Sequence, residues 1–141
     1  MNYWLMKTEP GTFSWDDLEK DFMTRGWSEW DGVRNYEARN NMCAMKQGDE
    51  VFIYHSSIKP AIVGIGRIVH EAHADSSDTS GLWQCVDVAP VKKFACPISL
   101  AVVKALPQLK SMTLVKRGRL SVQSVTHEEW KFILKLAAVT S

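Results

Sequence analysis

The run Val51-Phe52-Ile53-Tyr54-His55 constrains the fold more than any other stretch, because its β-branched and aromatic residues make it the clearest strand in the chain. Ser57-Ile58-Lys59-Pro60 turns it into a second apolar strand, Ala61–Val69. There Gly64 and Gly66 lie two residues apart and so on one face, which leaves a bare strip where another backbone or a ligand can approach closely. Tyr3–Thr8 carries bulky residues on both faces, as a central strand does, and Glu9-Pro10-Gly11 stops it.

The remaining segments alternate between helix and strand signals. Ser14 caps a short helix to about Lys20, with Asp16, Asp17 and Glu19 near its positive end. Phe22 to Trp30, interrupted by Gly26, reads as an irregular connection or short strand. Asn35 caps a helix to about Met45 with Ala38, Met42 and Met45 as its apolar stripe, and Gly48 is expected to close it as a left-handed cap. Residues 73–81 read as a mobile polar loop, and Trp83 to Phe94 as a returning strand. Ser99 caps a short helix to about Lys104, which Leu106-Pro107 breaks. Met112–Val115 and Leu120–Val122 read as short extended pieces. Thr126-His127-Glu128-Glu129 is a capping box that opens a last helix to about Ala138. The pattern predicts one α+β domain over 1–141: five or six strands, mostly antiparallel, with helices packed around them.

Composition narrows the class. Among 141 residues, 45% are hydrophobic and 23% charged, the profile of a soluble globular protein, and no apolar run reaches the length of a membrane span. Cys43, Cys85 and Cys96 are odd in number and far apart, so reduced thiols in the cytoplasm are expected, with neither a disulfide framework nor a zinc site. The N-terminus reads as a first strand and not as a signal peptide. Residues 1–87 carry 8 Lys/Arg against 14 Asp/Glu, whereas residues 88–127 carry seven Lys/Arg and no acid. That asymmetry marks either a polyanion-binding surface or a solvated basic face.

The densest chemistry lies in Trp30-Asp31-Gly32-Val33-Arg34-Asn35, which joins an indole, a glycine, a guanidinium and a carboxamide within six residues. A pocket for a flat ligand with polar edges needs that mixture. A buried Trp, a turn Gly and a helix-capping Asn would account for the same residues. Tyr54-His55-Ser56 and Arg119-Leu120-Ser121-Val122 are the stretches expected to meet this block. Trp27, Trp30 and Trp83 adjoin turns or loops and are the candidates for a stacking wall; Trp4 and Trp130 are core. His70 and His73, with Asp75 nearby, run off a strand into a loop without a further partner in view, so no metal or other cofactor is expected. Ser56 lacks a nucleophile elbow, and Gly64-x-Gly66 lacks the third glycine and helix of a phosphate loop. Nucleobase recognition suits these residue types better than catalysis does.

Four blocks, in order, resemble the EVE-domain family: Tyr3–Pro10, Trp30–Tyr36, Gly48-Asp49 followed by Tyr54-His55-Ser56, and Arg119–Gln123. The resemblance covers nearly the whole chain. It implies a PUA-like fold, a curved mixed β-barrel with flanking helices, related to the YTH readers of N6-methyladenine. It also implies a non-catalytic, cofactor-free pocket for a modified base such as 5-methylcytosine, flipped out of DNA or presented by RNA. The residues it points to are Trp30, Val33, Arg34, Asn35, Tyr54, His55, Ser56, Arg119, Leu120 and Ser121, with Lys7, Thr8, Trp27, Trp83, Lys116 and Arg117 as secondary candidates. Lys116-Arg117-Gly118 departs from the Arg-x-Ser-type run of many relatives. The other class in the superfamily, the ASCH-type domains with hydrolytic members, is marked by Gly-x-Lys-x-x-Glu-x-Arg, which is absent here. A monomer with a nucleic-acid partner and no membrane is the expected form.

Overall fold

The computed structural model describes residues 1–140. Six strands form one mixed, curved sheet that does not close: β1 (Tyr3–Thr8), β2 (Ser28–Glu29), β3 (Glu50–His55), β4 (Ala61–Ala74), β5 (Gln84–Ser99) and β6 (Val122–Val125), in the order β2-β5-β4-β3-β1-β6. Among the described residues only β1 and β3 run parallel; every other neighbouring pair is antiparallel. Five helices flank the sheet: α1 (Trp15–Arg25), α2 (Tyr36–Ala44), α3 (Leu100–Ala105), α4 (Thr113–Lys116) and α5 (His127–Thr140). The expected α+β architecture of about five or six strands with flanking helices is therefore what the chain forms.

Period-two alternation divides the core between the two faces of the sheet. Trp4, Met6, Val51 and Ile53 join Trp15, Leu18, Ala38 and Met42 on one face, so α1 and α2 cover it. On the other face Leu5, Phe52 and Tyr54 meet Trp130 and Ile133 of α5, where the Phe52 and Trp130 rings stack at 3.8 Å. The glycine strip of β4 is filled by packing. A Cβ on Gly64 would come within 2.7 Å of the Trp15 ring and 2.6 Å of the Lys92 carbonyl. Gly64 thus lets α1 lie directly on the sheet.

Several boundaries differ from the sequence reading. Helix α1 passes Lys20 and ends at Arg25, because the left-handed residue is Gly26 (φ 91°), whose N–H donates to the Phe22 carbonyl at 2.9 Å. Helix α2 ends earlier, at Ala44, with Met45 extended. Gly48 is not its cap; it turns the chain into β3, and its N–H donates to Ile68 at 2.8 Å. Strand β4 reaches Ala74 and β5 reaches Ser99. Their register shifts absorb extra residues such as Val91, which falls between the partners of Ile65 and Gly66. Of the piece expected to be extended, Met112 is so, as the residue before α4, but Thr113–Val115 are helical. The Lys116 N–H finds Met112 and that of Arg117 finds Thr113, which buries Met112 and Leu114. The capping box of α5 forms as expected, with Thr126 Oγ1 accepting from the Glu129 N–H at 3.1 Å and Glu129 answering at 3.0 Å. No helix among the described residues is long and apolar enough to cross a membrane.

Candidate functional site

A cleft of about 720 Å³ opens beside β2 and the end of β1. One wall is the segment 28–34. Trp30 is tied to β5 through its N–H and the Val86 carbonyl at 2.9 Å, and its ring, only 7% exposed, meets Phe13 edge-on at 5.8 Å. Gly32 then takes a left-handed turn (φ 80°) that aims its N–H at Asp75.

Asp75 holds this wall. Its carboxylate is buried and accepts four kinds of donor: the Gly32 N–H at 2.9 Å, Arg34 Nη1 at 3.1 Å, and the Ser77 N–H and hydroxyl at 2.8 and 2.6 Å. Burial alone would raise its pKa, but these hydrogen bonds, led by those from Ser77 and Gly32, hold the group below the usual carboxylate range. The loop 75–83 is accordingly built, contrary to the mobile loop expected. Asp78 closes it by accepting from the Ser80 N–H and hydroxyl and the Trp83 N–H, which brings its pKa down to about 2. An Asp-x-Ser spacing, the signature of a side chain bonding its own backbone two residues on, stands twice in this loop and was the readable signal.

The opposite wall comes from β1 and the segment before β6. Lys7 donates through its backbone N–H to the Ser121 carbonyl at 2.8 Å and through Nζ to the Gly118 carbonyl at 2.6 Å. Partial burial lowers the Lys7 pKa. Thr8 Oγ1 donates to the Phe13 carbonyl at 2.7 Å and so sets the third side. Cations and carboxylates share the lining: Lys7, Arg25 and Arg34 against Glu9, Asp21, Glu29 and Asp31. Burial, followed by the charges of Asp75 and Glu29, raises the pKa of Asp31.

Six of the residues singled out from sequence line this cleft: Trp30, Val33, Arg34 and Ser121 of the first group, Lys7 and Thr8 of the second. Others lie nearby. Asn35 caps α2, accepting from the Ala38 N–H at 2.9 Å, and shares a second depression of about 250 Å³ with Lys116, Arg117, Arg119 and Leu120. In that depression Arg117 grips Glu37 through both terminal nitrogens, at 2.6 and 2.8 Å.

Tyr54-His55-Ser56 does not line the cleft. Tyr54 is buried in the opposite core, 5.5 Å from Lys7 Nζ. His55 Nε2 accepts from the Trp15 N–H at 3.0 Å, satisfying an open donor at the start of α1. Burial lowers the His55 pKa, which suits the neutral ring that accepting requires. Ser56 donates to the Thr8 carbonyl from both its N–H (2.9 Å) and its hydroxyl (3.3 Å). Trp27 stands edge-on to His70 at 4.9 Å, and Trp83 stacks on Tyr36 at 5.0 Å beneath Arg34 and Arg39. Phe13, Glu29 and Asp31 line the cleft without having been singled out. His70 and His73 do not meet Asp75; both turn to Asp87, at 2.8 and 2.9 Å.

The sequence and fold are similar to those of known proteins. The family model of the EVE domain matches residues 2–136. Mouse thymocyte nuclear protein 1 is 42% identical over 96% of this chain and 73% of its own. A crystal structure of a protein from Agrobacterium tumefaciens superposes with a TM-score of 0.92 at 46% identity, covering 97% of this chain and 93% of that one. Human thymocyte nuclear protein 1, crystallised in complex with DNA containing 5-methylcytosine, superposes with a TM-score of 0.84 at 36% identity, covering 97% and 98%. With the family model spanning nearly all of it, the chain belongs to the EVE-domain family.

Proposed function

We propose that the protein is a non-catalytic reader of nucleic acid that takes a modified base, 5-methylcytosine or a close relative, flipped into the cleft between Trp30 and Ser121. The observation that carries this reading is the cleft itself: an indole and the Phe13 ring beside polar edges and carboxylates, in a family whose human member was crystallised with 5-methylcytosine DNA. The volume suits one base with room for its sugar. Trp30 offers the aromatic surface, and Glu29 or Asp31 accepts from an exocyclic amine, the group that separates cytosine from thymine. Thr8 and Ser121 supply further edge contacts. Lys116 and Arg119, both exposed, are placed to meet phosphates outside the cleft. Flipping costs a few kcal/mol of unstacking, which the aromatic surface offsets. Three unpaired thiols, two of them exposed, fit a reducing cytoplasm.

Fluorescence anisotropy with short DNA and RNA oligonucleotides carrying cytosine, 5-methylcytosine or thymine tests it. The methylated strand is expected to bind most tightly, and Trp30→Ala to remove roughly 1–3 kcal/mol of that affinity. Equal binding of all three bases by the wild type sinks the reading. Mass spectrometry of the recovered nucleosides should find them unchanged; a product that depends on the protein would move the assignment to an enzyme.

A further inference from the structure

We infer that the stacked rings of Tyr36 and Trp83, with the Arg39 guanidinium beside them, form a second base-stacking platform, which takes the unpaired nucleotide next to the base held in the cleft. The two rings come from distant parts of the chain. Tyr36 opens α2 directly after its Asn35 cap, and Trp83 ends the loop 75–83. They meet at 5.0 Å with an interplanar angle of 29°. Trp83 is half-buried, but Tyr36 is 58% exposed. Packing accounts for the covered indole and not for the phenol ring left open upon it. A flat, open ring on a fixed support is what a nucleobase stacks on.

The support is both held and charged. The Trp83 N–H donates to Asp78 at 3.0 Å, and its carbonyl accepts from the Asp75 N–H at 3.1 Å, which ties the indole to the loop behind the Trp30 wall. Arg39 donates to the Leu82 carbonyl at 3.1 Å, and its guanidinium carbon lies 5.0 Å from the Tyr36 ring centre and 5.9 Å from that of Trp83. Arg34 and Arg117 each pair with a carboxylate, whereas Arg39 makes no ion pair among the described residues, so its charge is open to a phosphate or a base face. Position fixes which nucleotide is taken. Arg34 lines the cleft and also lies 5.6 Å from the Trp83 ring centre, and Asn35 lines the depression shared by Lys116 and Arg119. Arg34, Asn35 and Tyr36 thus border, in turn, a base cleft, a basic depression and an aromatic platform. A strand presents its parts in the same order: one base, the linking phosphate, the next base. Bases in a closed duplex have both faces covered, so the occupant is a nucleotide of single-stranded or locally opened nucleic acid. This inference rests on the strand binding proposed above, not on which base the cleft selects.

Short single strands carrying one 5-methylcytosine, with an abasic residue on its 5′ or its 3′ side, test the platform. Tyr36→Ala should weaken binding of the strand with both neighbours intact by roughly 5–150-fold, the stacking of one base, with circular dichroism confirming the fold. Tyr36→Phe should restore it. At one of the two positions the abasic residue should weaken wild-type binding likewise and cancel the effect of Tyr36→Ala, which a merely structural role for the ring would not do. At that position 5-iodouracil should crosslink to Tyr36 on irradiation, as located by peptide mass spectrometry. A folded Tyr36→Ala variant with wild-type affinity overturns the platform and leaves the surface to a protein partner. So does a loss that persists undiminished with either neighbour abasic. Repeating the series with cytosine in place of 5-methylcytosine keeps the two readings apart. Equal wild-type affinity for both strands, with the Tyr36 dependence intact, upholds the platform and sinks the methyl-selective cleft; selective binding without that dependence does the reverse. Strands that do not bind the wild type overturn both.

Discussion

The two walls of the cleft are held by different means. Trp30–Arg34 is fixed by a buried carboxylate that receives a backbone N–H, a guanidinium and a serine, with one further backbone hydrogen bond, Trp30 N–H to Val86, tying it to β5. The backbone of residues 116–121 rests on Lys7 and on the buried Gln123 amide, which donates to the Leu120 and Arg117 carbonyls at 2.7 and 3.2 Å, whereas its charged side chains make only an exposed Arg117–Glu37 pair among the described residues. A buried polar network is costly to leave half-made, so the first wall has one arrangement. Exposed pairs are worth little, so the charged side chains of the second wall can exchange partners for phosphates while its backbone stays in place. The difference suits the proposed reader, which would recognise one base on one side and follow a backbone on the other.

Removing the hub of the rigid wall is the largest test. Asp75→Ala takes their shared buried acceptor from the Gly32 and Ser77 N–H groups and from the half-exposed Arg34 guanidinium, and should cost about 1–3 kcal/mol. Urea denaturation measures it. A loss below about 1 kcal/mol would mean that the 30–34 turn holds itself. The depressed pKa of Asp75 adds a sign: its stabilisation is complete above the ordinary aspartate range and fades as pH falls through the lowered value.

How much of this was legible beforehand depended on distance along the chain. The strand signals of Tyr3–Thr8 and Val51–His55, the Asn35 cap and the Thr126–Glu129 box are local, and each formed as written. The sequence marks Gly48 as a left-handed cap and Gly26 only as an interruption, yet both are left-handed. Which of them ended a helix was decided by where the ends of α1 and α2 packed. The Trp30–Arg34 block was legible as a site because its composition is odd for a core. Its support was not, since Asp75 lies 43 residues beyond Gly32 and carries no mark of its partner. Likewise His55 looked like a ligand group. Only the lie of α1 across β4, set by Trp15 over Gly64, shows it as the acceptor for a helix start.

That helix start gives a smaller test, on the third side of the cleft. Phe13 lines the cleft just before α1, and His55 secures α1 by accepting from the Trp15 N–H. Burial sets the His55 pKa below its ordinary value, so its contribution is present above about pH 6.5 and is lost as pH falls through the lowered folded value. The effect should not exceed the one hydrogen bond at stake, about 1 kcal/mol. His73, whose ring Asp87 favours in the charged form against the opposing effect of burial, has the opposite sign and weakens the fold as pH rises. Comparing thermal melts of the wild type and His55→Gln at pH 7.5 and 5.5 separates the two. The wild type should lose more of its Tm on acidification, and parallel losses would remove His55 from the account.

The least effect on stability, and the clearest reading of the comparison, belongs to the second wall. Lys116 and Arg119 are exposed, and the Arg117 guanidinium pairs with Glu37, itself on the surface. Replacing Lys116 and Arg119 with Gln should leave the urea midpoint where it was, because neither side chain supports a buried group. Binding should respond differently. Each phosphate contact that is lost lowers the slope of log K against log salt by roughly one unit, and affinity should fall by the same factor for methylated and unmethylated strands. Glu37→Gln frees Arg117 from its carboxylate partner, so it should steepen the slope where the pair variant flattens it. A selective loss of affinity for the methylated strand would place these residues in base recognition. An unchanged slope in the Lys116/Arg119 variant would mean that the backbone leaves the cleft over another surface. Then the freedom of these side chains has no part in binding, and the contrast with the Asp75-held wall reduces to the difference between buried and exposed polar groups.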